Sequence, residues 1–599
     1  MSPLLEIETL VRRYAAGSAH PAEVAEDVLG RIAARGDDHV WITLRPAAEL
    51  LEEAAGLPLR WPDPHLRPPL YGIPFAVKDN VDVAGLPTTA ACASYAYVPQ
   101  RSAPLVSRLL AAGALLVGKT NLDQFATGLS GTRSPYGSCE SPLVPGLISG
   151  GSSSGSAVAV AAGLVAFAIG TDTAGSGRVP AALTGTVGLK PSRGLVSTTG
   201  LVPACASLDC PSVFATSVAD ALAVLSVIAG PDQNDPWSRP LPVPPPVPAA
   251  AGPLRIGIPS RLDFYGDAAS AIGFQDATRR LAGLGHTLVP VDFEPFLAAG
   301  RLLYSGPWLA ERLTAIGDFI ARNPDDVHPV TRRVLRNGPT LTAVDAFNGL
   351  HRLQALRAET GQIWASLDAL AVPTVPTTYT LAEMAEDPIG RNNILGHYTT
   401  FANLLDLAAV AVPAGTTPIG RPHGITLLGP AGTDTLLAGA AAVFHAETGG
   451  PALPSGPAST RQPLLAVVGA HRSGQPLNGK LLSLGAVARG TAQTAPHYRL
   501  YALNGGEPPR PGLVRSTTAG VPIEVELYEL SPEALGILLT QNTPPLSLGA
   551  VLLDDDREVH GFLCESYATE EATDISGHGS WLGYLRSQTR GKPPGVAPG

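Results

Sequence analysis

Residues 149–156 read SGGSSSGS and residues 171–178 read TDTAGSGR, so two loops rich in small residues stand close together in the sequence. The segment 157–170 (AVAVAAGLVAFAIG) joins them, and its apolar character predicts a buried helix followed by a strand. A ten-residue helix advances about 15 Å and a five-residue strand returns about 17 Å. Both loops are therefore expected at one edge of the fold, where Ser152 and Ser176 meet although they are 24 residues apart.

Lys78 is the candidate base for this pair of serines. It follows the apolar run YGIPFAV (71–77), which predicts a buried strand with the lysine at its end. Burial lowers the pKa of a lysine by up to about 3–5 units, so a neutral amine can accept a proton near pH 7. Asp79 would oppose this by pairing with Lys78, but neighbouring strand residues point to opposite faces. A serine hydroxyl needs such a base, and no GxSxG elbow with a suitable histidine indicates the usual triad.

The loop at 171–178 also offers backbone donors for a developing negative charge. Four of its residues have little side-chain bulk, so their N–H groups can converge on one point, as an oxyanion hole requires. These residues are Thr173, Ala174, Gly175 and Ser176. Taken singly, such features have ordinary explanations, because Gly/Ser loops usually only turn the chain and strand-end lysines are usually solvated. Their combination favours a catalytic site.

Composition narrows the classes of protein. The chain has 599 residues, 45% of them apolar, as in a globular protein of two to four domains with a sizeable core. The net charge of −10 argues against a nucleic-acid partner. Glu6 and Glu8 argue against a signal peptide, and no apolar run is long enough to cross a membrane. Five cysteines without a CxxC pair predict free thiols and a cytoplasmic location: Cys92, Cys139, Cys205, Cys210 and Cys564.

Secondary-structure patterns divide the chain in two. Up to about residue 450, helical and apolar strand patterns alternate, which predicts an α/β core. Helices are predicted at 22–35, 102–113, 218–229 and 433–447, and strands at 71–77, 114–117, 165–170 and 408–412. The Gly/Pro-rich stretch at 449–463 marks a boundary, so we predict domains over 1–450 and 464–599 with a linker over 451–463. The second domain has strand patterns at 464–470, 521–529 and 549–553.

Three blocks resemble the amidase-signature family: FAVKDN (75–80), GGSSSGS (150–156) and GTDTAGSGRVPA (170–181). The resemblance covers roughly residues 1–450 and implies a mixed β-sheet core wrapped by helices. It also implies that Lys78 is the base, Ser152 a bridging serine with a cis peptide bond, and Ser176 the acylated nucleophile. No metal or organic cofactor is implied, and the sequence has no HExxH motif, Walker A loop or dinucleotide-binding loop.

Two details are similar to the allophanate hydrolase branch of that family. The nucleophile loop reads AGSGR where most members have GGSIR, and RLLYSGPWLAER (301–312) resembles the substrate-recognition helix of the branch. The resemblance implies that Tyr304 and Arg312 hold a substrate carboxylate, two helical turns and about 12 Å apart near one face of the helix. The alternative is a core tyrosine and a solvated arginine. Asp172 and Arg178 are expected to brace the loop.

The second domain resembles the C-terminal domain of allophanate hydrolases. The similar blocks are VVGAHRSGQPLN (467–478) and DISGHGSWLGYL (574–585), and they imply a small β-rich domain related to gamma-glutamyl cyclotransferases. His471 follows an apolar strand, where a cleft-facing side chain can act on the product of the first reaction. A purely structural histidine, in a domain that only dimerises or shields the active site, is the alternative.

Together these resemblances imply hydrolysis of allophanate (urea-1-carboxylate) to ammonia and N-carboxycarbamate, which then loses carbon dioxide. They also imply a homodimer and a biotin-dependent urea carboxylase as the pathway partner. The alternatives are a general amidase, or the glutaminase component of a tRNA-dependent amidotransferase. A non-catalytic scaffold disagrees with the complete set of Lys78, Ser152 and Ser176.

Overall fold

The computed structural model describes residues 5–248, 251–449, 463–505, 509–516, 520–555 and 557–590. The chain divides into two compact units, Met1–Pro454 and Ser455–Gly599, here called unit 1 and unit 2. The predicted linker over 451–463 lies outside the described residues except for its last position.

Unit 1 is built from helices and strands that alternate along the chain. Its α-helices are α1 (Ile7–Ala15), α2 (Pro21–Arg35), α3 (Ala47–Arg60), α4 (Pro104–Ala111), α5 (Ser154–Ala161), α6 (Val179–Thr184), α7 (Val218–Ile228), α8 (Ala268–Gly283), α9 (Glu294–Ser305), α10 (Trp308–Arg322), α11 (Pro329–Leu335), α12 (Ala343–Ile363), α13 (Leu381–Glu386), α14 (Gly390–Leu395), α15 (Phe401–Leu404) and α16 (Asp434–Glu447). Its strands are β1 (Trp41–Leu44), β2 (Pro74–Lys78), β3 (Leu115–Thr120), β4 (Phe167–Thr171), β5 (Val187–Lys190), β6 (Pro211–Ala215), β7 (Arg255–Pro259), β8 (Thr287–Val291), β9 (Ala369–Pro373), β10 (Leu407–Thr416) and β11 (Pro422–Pro430).

These strands form one mixed sheet in the order β1-β3-β2-β4-β6-β5-β10-β11-β9-β7-β8. The strand β2 lies between β3 and β4 and is parallel to both, whereas the pairs from β4–β6 through β11–β9 are antiparallel. Every residue of β2, β4 and β6 is buried, so both faces of the sheet are covered there. The predicted mixed sheet wrapped by helices is confirmed, and each predicted helix and strand of the α/β core is present.

A stacked pair of aromatic rings joins strands β2 and β4. Phe75 on β2 lies opposite Phe167 on β4, and their ring centroids are 5.2 Å apart. Both side chains are completely buried. Because large aromatic side chains contribute much of the burial energy of a core, this contact holds the register of β2 against β4.

The predicted helix over 301–312 is wrong, because the chain breaks there into two helices. The first, α9, ends at Ser305, and α10 begins at Trp308. Proline has no backbone N–H and clashes with the carbonyl one turn earlier, so a helix does not continue through Pro307. The N–H of Gly306 instead closes α9 by donating to the carbonyl of Leu302 at 2.9 Å.

Unit 2 is rich in β-structure, as predicted. Its strands are β12 (Leu464–Val467), β13 (Val487–Gln493), β14 (Tyr498–Ala502), β15 (Pro511–Arg515), β16 (Glu524–Glu529), β17 (Leu546–Leu552), β18 (Glu558–Cys564) and β19 (Thr573–Asp574), and its helices are α17 (Asn478–Ser483), α18 (Pro532–Gln541) and α19 (Trp581–Arg590). One sheet has the order β13-β16-β12-β18-β17, and a smaller one has the order β15-β14-β19. Beyond the two edge strands of the larger sheet, Thr494 and Leu553 form an antiparallel bridge, so the sheet curls towards closure.

A search of the described helices for one long and apolar enough to cross a membrane finds none. The five cysteines are buried free thiols.

Candidate active site

Sheet topology brings Lys78 to the loop that contains Ser176. The lysine is the last residue of β2, and the parallel partner β4 ends at Thr171, where that loop begins. The pairing of Val77 with Ile169 sets the two strand ends side by side. The carboxyl ends of neighbouring parallel strands meet at one edge of a sheet, which is why residues distant in sequence converge here.

The three predicted catalytic side chains form a hydrogen-bonded relay. The Nζ atom of Lys78 lies 2.7 Å from Oγ of Ser152, and Oγ of Ser152 lies 3.0 Å from Oγ of Ser176. The peptide bond between Gly151 and Ser152 is cis, as the family resemblance implies. All three side chains are buried, and Ser176 is 3% exposed. A proton can therefore move from Ser176 to the amine through one intermediate hydroxyl.

A further hydroxyl contacts the amine, and sequence reasoning missed it. Oγ1 of Thr171 lies 2.7 Å from Nζ of Lys78. Thr171 begins the loop quoted from the sequence, but spacing alone gives no sign of which hydroxyl reaches the lysine. The amine thus has two hydroxyl neighbours and no carboxylate within ion-pairing distance among the described residues.

Burial controls the protonation of the relay. Desolvation lowers the pKa of Lys78 to about 7, although the more distant carboxylates of Asp123, Asp209 and Asp172 act in the opposite direction. An ammonium ion is costly to keep in a low-dielectric interior, whereas a neutral amine with hydrogen-bond partners is not. A large fraction of the lysine is therefore uncharged at neutral pH and able to accept a proton.

Asp79 does not compete for this amine. Its carboxylate lies 3.0 Å from Nζ of Lys119 on β3, and both side chains are completely buried. It also accepts hydrogen bonds from the N–H and the hydroxyl of Thr89. The expected orientation of Asp79, away from Lys78, is what the structure has, and the ion pair with Lys119 accounts for its charge.

The loop at 171–178, here called the oxyanion loop, is braced from within by an ion pair. Arg178 donates to both carboxylate oxygens of Asp172 at 2.9 Å, and both side chains are completely buried. Desolvation raises the pKa of Asp172, but the guanidinium and backbone donors outweigh it and keep the pKa below its ordinary value. Asp172 therefore stays ionised and holds the loop, as expected.

The prediction of four converging N–H donors needs a correction at Gly175. The N–H of Gly175 donates to Oδ1 of Asp172 at 2.8 Å and so serves the loop itself. Among the described residues, no acceptor lies within hydrogen-bond distance of the N–H groups of Thr173, Ala174 and Ser176. Gly175 contributes its backbone conformation instead, because its φ of 136° is one that L side chains rarely adopt.

Tyr304 and Arg312 meet because the helix breaks between them. The Cζ atom of Arg312 lies 5.3 Å from the centroid of the Tyr304 ring, much closer than a continuous helix would allow. Arg312 is 1% exposed, so the predicted alternative of a solvated arginine is excluded. Tyr304 is half-buried and lines a cavity of about 480 Å³ together with Leu129 and Thr400. The carbonyl of Leu129 accepts the N–H of Gly151, the residue before Ser152.

Arg312 is a buried cation with unused donors. Its Nη1 donates a long hydrogen bond of 3.3 Å to the hydroxyl of Thr127. Its Nε and Nη2 atoms have no partner among the described residues. Burying a guanidinium without an anion is unfavourable, since arginine does not give up its proton in proteins. The arrangement suits a small anionic group that binds beside it.

His471, the candidate in unit 2, lines a separate cavity of about 200 Å³ within that unit. Its ring stacks on Phe562 with centroids 5.1 Å apart. Burial, reinforced by the nearby charge of Lys480, lowers the pKa of His471 to about 4, so the ring is neutral at pH 7. Lys480 and Arg510 line the same cavity. Among the described residues, no group of three or more His, Cys, Asp or Glu side chains is placed to bind a metal ion.

Two known protein families match this chain. The profile of the Amidase family matches residues 23–438, and that of the Allophanate hydrolase C-terminal domain matches residues 463–586. The first match spans well over half of the chain and contains the whole relay. The second contains His471.

Individual relatives agree with these matches. The chain is 40% identical over 574 residues to the urea amidolyase of Saccharomyces cerevisiae, covering 92% of this chain but 31% of that protein. It is 40% identical over 575 residues to the urea amidolyase of Lachancea kluyveri, with the same two coverages. The structure of Kluyveromyces lactis allophanate hydrolase is similar, with a TM-score of 0.72, 37% identity and coverage of 98% and 99%. The chain thus spans about a third of the length of the urea amidolyases.

The protonation of Lys78 predicts how fast Ser176 reacts with an acylating reagent. The rate of Ser176 labelling by a fluorophosphonate should rise as pH increases through about 7 and then level off, because the neutral amine forms over that range. The measurement is the labelling rate between pH 5.5 and 10, followed by mass spectrometry. A rate that is flat from pH 6 to 9, or that still climbs above pH 9, would contradict a buried lysine as the base.

Proposed function

The chain belongs to the amidase family, and from this membership and the site geometry we propose that it is an allophanate hydrolase. The observation that carries the proposal is the buried guanidinium of Arg312, with free donors, in the same unit as a Lys–Ser–Ser relay. Allophanate is a small amide that bears a carboxylate, which matches one group to each part of the site. We assign this reaction to residues 1–450, and residues 464–599 to a second domain.

The relay supports an acyl-enzyme mechanism. Ser176 attacks the terminal carboxamide carbon while its proton passes to Ser152 and the proton of Ser152 passes to Lys78. The same path returns a proton to the departing nitrogen, so that ammonia leaves and an ester remains on Ser176. Water then attacks the ester with the relay acting again as base, and N-carboxycarbamate is released. Its loss of carbon dioxide leaves carbamate, and the breakdown of carbamate to ammonia and a second carbon dioxide completes the net conversion.

The oxyanion loop supports the tetrahedral step. Charge develops on the carbonyl oxygen when Ser176 attacks, and we assign its stabilisation to the free N–H groups of Thr173, Ala174 and Ser176. The Asp172–Arg178 pair fixes the loop before substrate arrives, so little reorganisation is needed during the reaction. Removing one donor of an oxyanion hole typically costs about 2.7–4 kcal/mol of transition-state stabilisation.

The carboxylate site distinguishes this proposal from its alternatives. A general amidase has no need of a buried guanidinium for its substrate. The match of residues 463–586 to the allophanate hydrolase C-terminal domain favours allophanate over glutamine. Arg312 can hold a carboxylate through Nε and Nη2, with the ring of Tyr304 beside it.

The cellular setting is part of the proposal. The match to about a third of a urea amidolyase supports a biotin-dependent urea carboxylase, outside this chain, as the supplier of substrate. The buried free thiols support a cytoplasmic location. The homodimer remains a prediction of the family resemblance.

Unit 2 is proposed to act on the first product. N-carboxycarbamate is a dianion, and the cavity of His471 places Lys480 and Arg510 where they attract negative charge. The neutral imidazole of His471 can relay a proton from water to the nitrogen, which gains the electron pair of the broken bond as carbon dioxide leaves. A structural role is the alternative, and the stacking of His471 on Phe562 is the observation that favours it.

The direct test of the function is ammonia release from a panel of substrates. We expect turnover of allophanate to exceed that of biuret, malonamate and glutamine, and Ser176→Ala to abolish it with the fold intact. Circular dichroism and thermal unfolding check the fold of the variant. If glutamine or an uncharged amide is hydrolysed fastest, the substrate assignment is wrong.

Arg312→Lys should damage binding although it keeps the positive charge. An ammonium cannot reproduce the two-pronged geometry of a guanidinium, so KM for allophanate should rise by about 10-fold or more while kcat changes less. Tyr304→Phe should be a milder version. Arg322→Lys, on the same helix but exposed, is the matched control. An unchanged KM in Arg312→Ala would place the carboxylate contact elsewhere.

His471→Ala should separate the two products in time. The first equivalent of ammonia should appear at the normal rate because the relay and Arg312 are untouched, whereas carbon dioxide and the second equivalent of ammonia should lag and N-carboxycarbamate should accumulate. Both products are followed in stopped-flow and ¹³C NMR measurements. His497→Ala, an exposed histidine of unit 2, is the control. Release of both products in step in the His471 variant would favour the structural role.

A further inference from the structure

A buried carboxylate ties the oxyanion loop to a neighbouring loop, residues 204–209. Oδ1 of Asp209 accepts the hydroxyl hydrogen of Thr173 at 2.5 Å. The N–H groups of Ala204 and Cys205 also donate to Asp209, at 2.8 Å and 3.2 Å. Asp209 is 5% exposed and has no Lys or Arg within 4 Å among the described residues. Its oxygens act as acceptors for two loops at once.

The same 204–209 loop is fastened on its other side to α10, the helix that carries Arg312. The carboxylate of Glu311 accepts both the N–H and the hydroxyl hydrogen of Ser207, each at 2.7 Å. The thiol of Cys205 donates to the carbonyl of Trp308 at 3.5 Å. Trp308 is the first residue of α10, and Glu311 is the neighbour of Arg312. These hydrogen bonds therefore hold the start of α10 against the 204–209 loop.

A third contact closes the assembly. The Nδ2 atom of Asn403 donates to the carbonyls of Asp172 and Leu208, each at 2.7 Å, and Asn403 is completely buried. The oxyanion loop and the 204–209 loop are thus joined at two points, Thr173–Asp209 and Asn403. Hydrogen bonds thus connect the oxyanion loop, through the 204–209 loop, to the start of α10, the helix that carries Arg312.

We propose that Asp209 is a positioning residue that fixes the oxyanion loop relative to the carboxylate-binding helix, so that a substrate held by Arg312 is aligned with the donors beside Ser176. This inference rests on the proposed function, which gives Arg312 its ligand. A displacement of about 1 Å at such a site can lower a rate about 100-fold. The proposed function needs each group in place, whereas this inference concerns the distance between them.

The charges around Asp209 agree with this position. The negative charge of Asp209 acts to raise the pKa of both Lys78 and Arg312. Burial raises the pKa of Asp209 to about 6, against the hydrogen bond from Thr173. At pH 8 the carboxylate of Asp209 is ionised and accepts hydrogen bonds from Thr173, Ala204 and Cys205. The experiments below are therefore done at pH 8.

A simple structural brace would affect stability, whereas a positioning residue affects one kinetic parameter selectively. Asp209→Asn keeps the size of the side chain but replaces one acceptor oxygen by a donor. We expect kcat for allophanate to fall about 10- to 100-fold at pH 8 with KM changed less than about threefold, because Arg312 still binds the carboxylate. Arg312→Ala should give the opposite pattern, with the main change in KM.

Asp220→Asn is the matched control. Asp220 is also a buried carboxylate whose pKa burial raises to about 6, and it also accepts a backbone N–H, that of Ile7 at 3.1 Å. It lies on α7, whose N-cap Ser217 accepts its N–H, and it contacts neither loop. It should lose stability without a selective fall in kcat. If Asp209→Asn behaves like Asp220→Asn, with lower stability but unchanged kcat, the inference is wrong.

Thr173→Val and Thr173→Ser test the other end of the contact if Asp209→Asn does not fold. The valine variant removes only the hydroxyl that donates to Asp209. It should lower kcat, with a smaller change in KM. The serine variant keeps the hydroxyl and should recover most of that loss. Equal loss in both variants would show that the hydroxyl does not matter and would overturn the inference.

Acylation of Ser176 by p-nitrophenyl acetate separates this inference from the proposed function. The ester carries no carboxylate, so its burst rate reports the oxyanion loop without involving Arg312. Because the inference concerns how a substrate held by Arg312 is aligned with the oxyanion loop, we expect Asp209→Asn to change this burst rate less than about threefold at pH 8, while kcat for allophanate falls. Failure of the wild-type protein to hydrolyse allophanate would overturn the proposed function, whereas a fall in the ester burst rate as large as the fall in kcat for allophanate in Asp209→Asn would overturn the present inference.

Discussion

The complete burial of the Lys78 amine in unit 1 constrains which groups can lie around it. Lys78 can remain there because it loses its proton readily, and because the hydroxyls of Ser152 and Thr171 satisfy its hydrogen bonds without supplying charge. A carboxylate at the same distance would stabilise the ammonium and remove the base. The nearest acid in sequence, Asp79, is accordingly held by Lys119. The neutral amine is what makes a serine relay possible without a histidine.

Arg312 is buried like Lys78, but it keeps its positive charge. A guanidinium does not lose its proton in proteins. Burying it without a paired anion is therefore unfavourable, so the binding of an anion beside it is favoured. Two buried basic side chains of unit 1 are thus suited to different tasks in the proposed mechanism, because Lys78 can lose its proton and Arg312 cannot. The proposed selectivity for an anionic amide rests on this pairing. It also explains why a net charge of −10 is no obstacle, because attraction acts locally inside the protein.

Sequence reasoning was strongest where small residues and strand ends constrain the chain. The helix-and-strand distance between the two loops brought Ser152 to Ser176, and the apolar run before Lys78 predicted its burial. It failed where the outcome depends on partners distant in sequence. Thr171 meets Lys78 across 93 positions, and Asp209 meets Thr173 across 36. The break between α9 and α10 follows from the proline at 307, a local rule that outweighs the resemblance of 301–312 to a single helix.

The correction at Gly175 bears on how such loops are built. A single N–H cannot both shape the loop and bind the substrate, and here it shapes the loop through Asp172. The ion pair with Arg178 keeps that carboxylate ionised, and the carboxylate in turn draws the N–H groups of Gly175 and Gly177 inward. The N–H of Ser176 lies between these two anchored donors and has no hydrogen-bond acceptor among the described residues, as the proposed oxyanion site requires. The number of donors for the oxyanion is therefore set by the loop's internal hydrogen bonds, which a motif does not reveal.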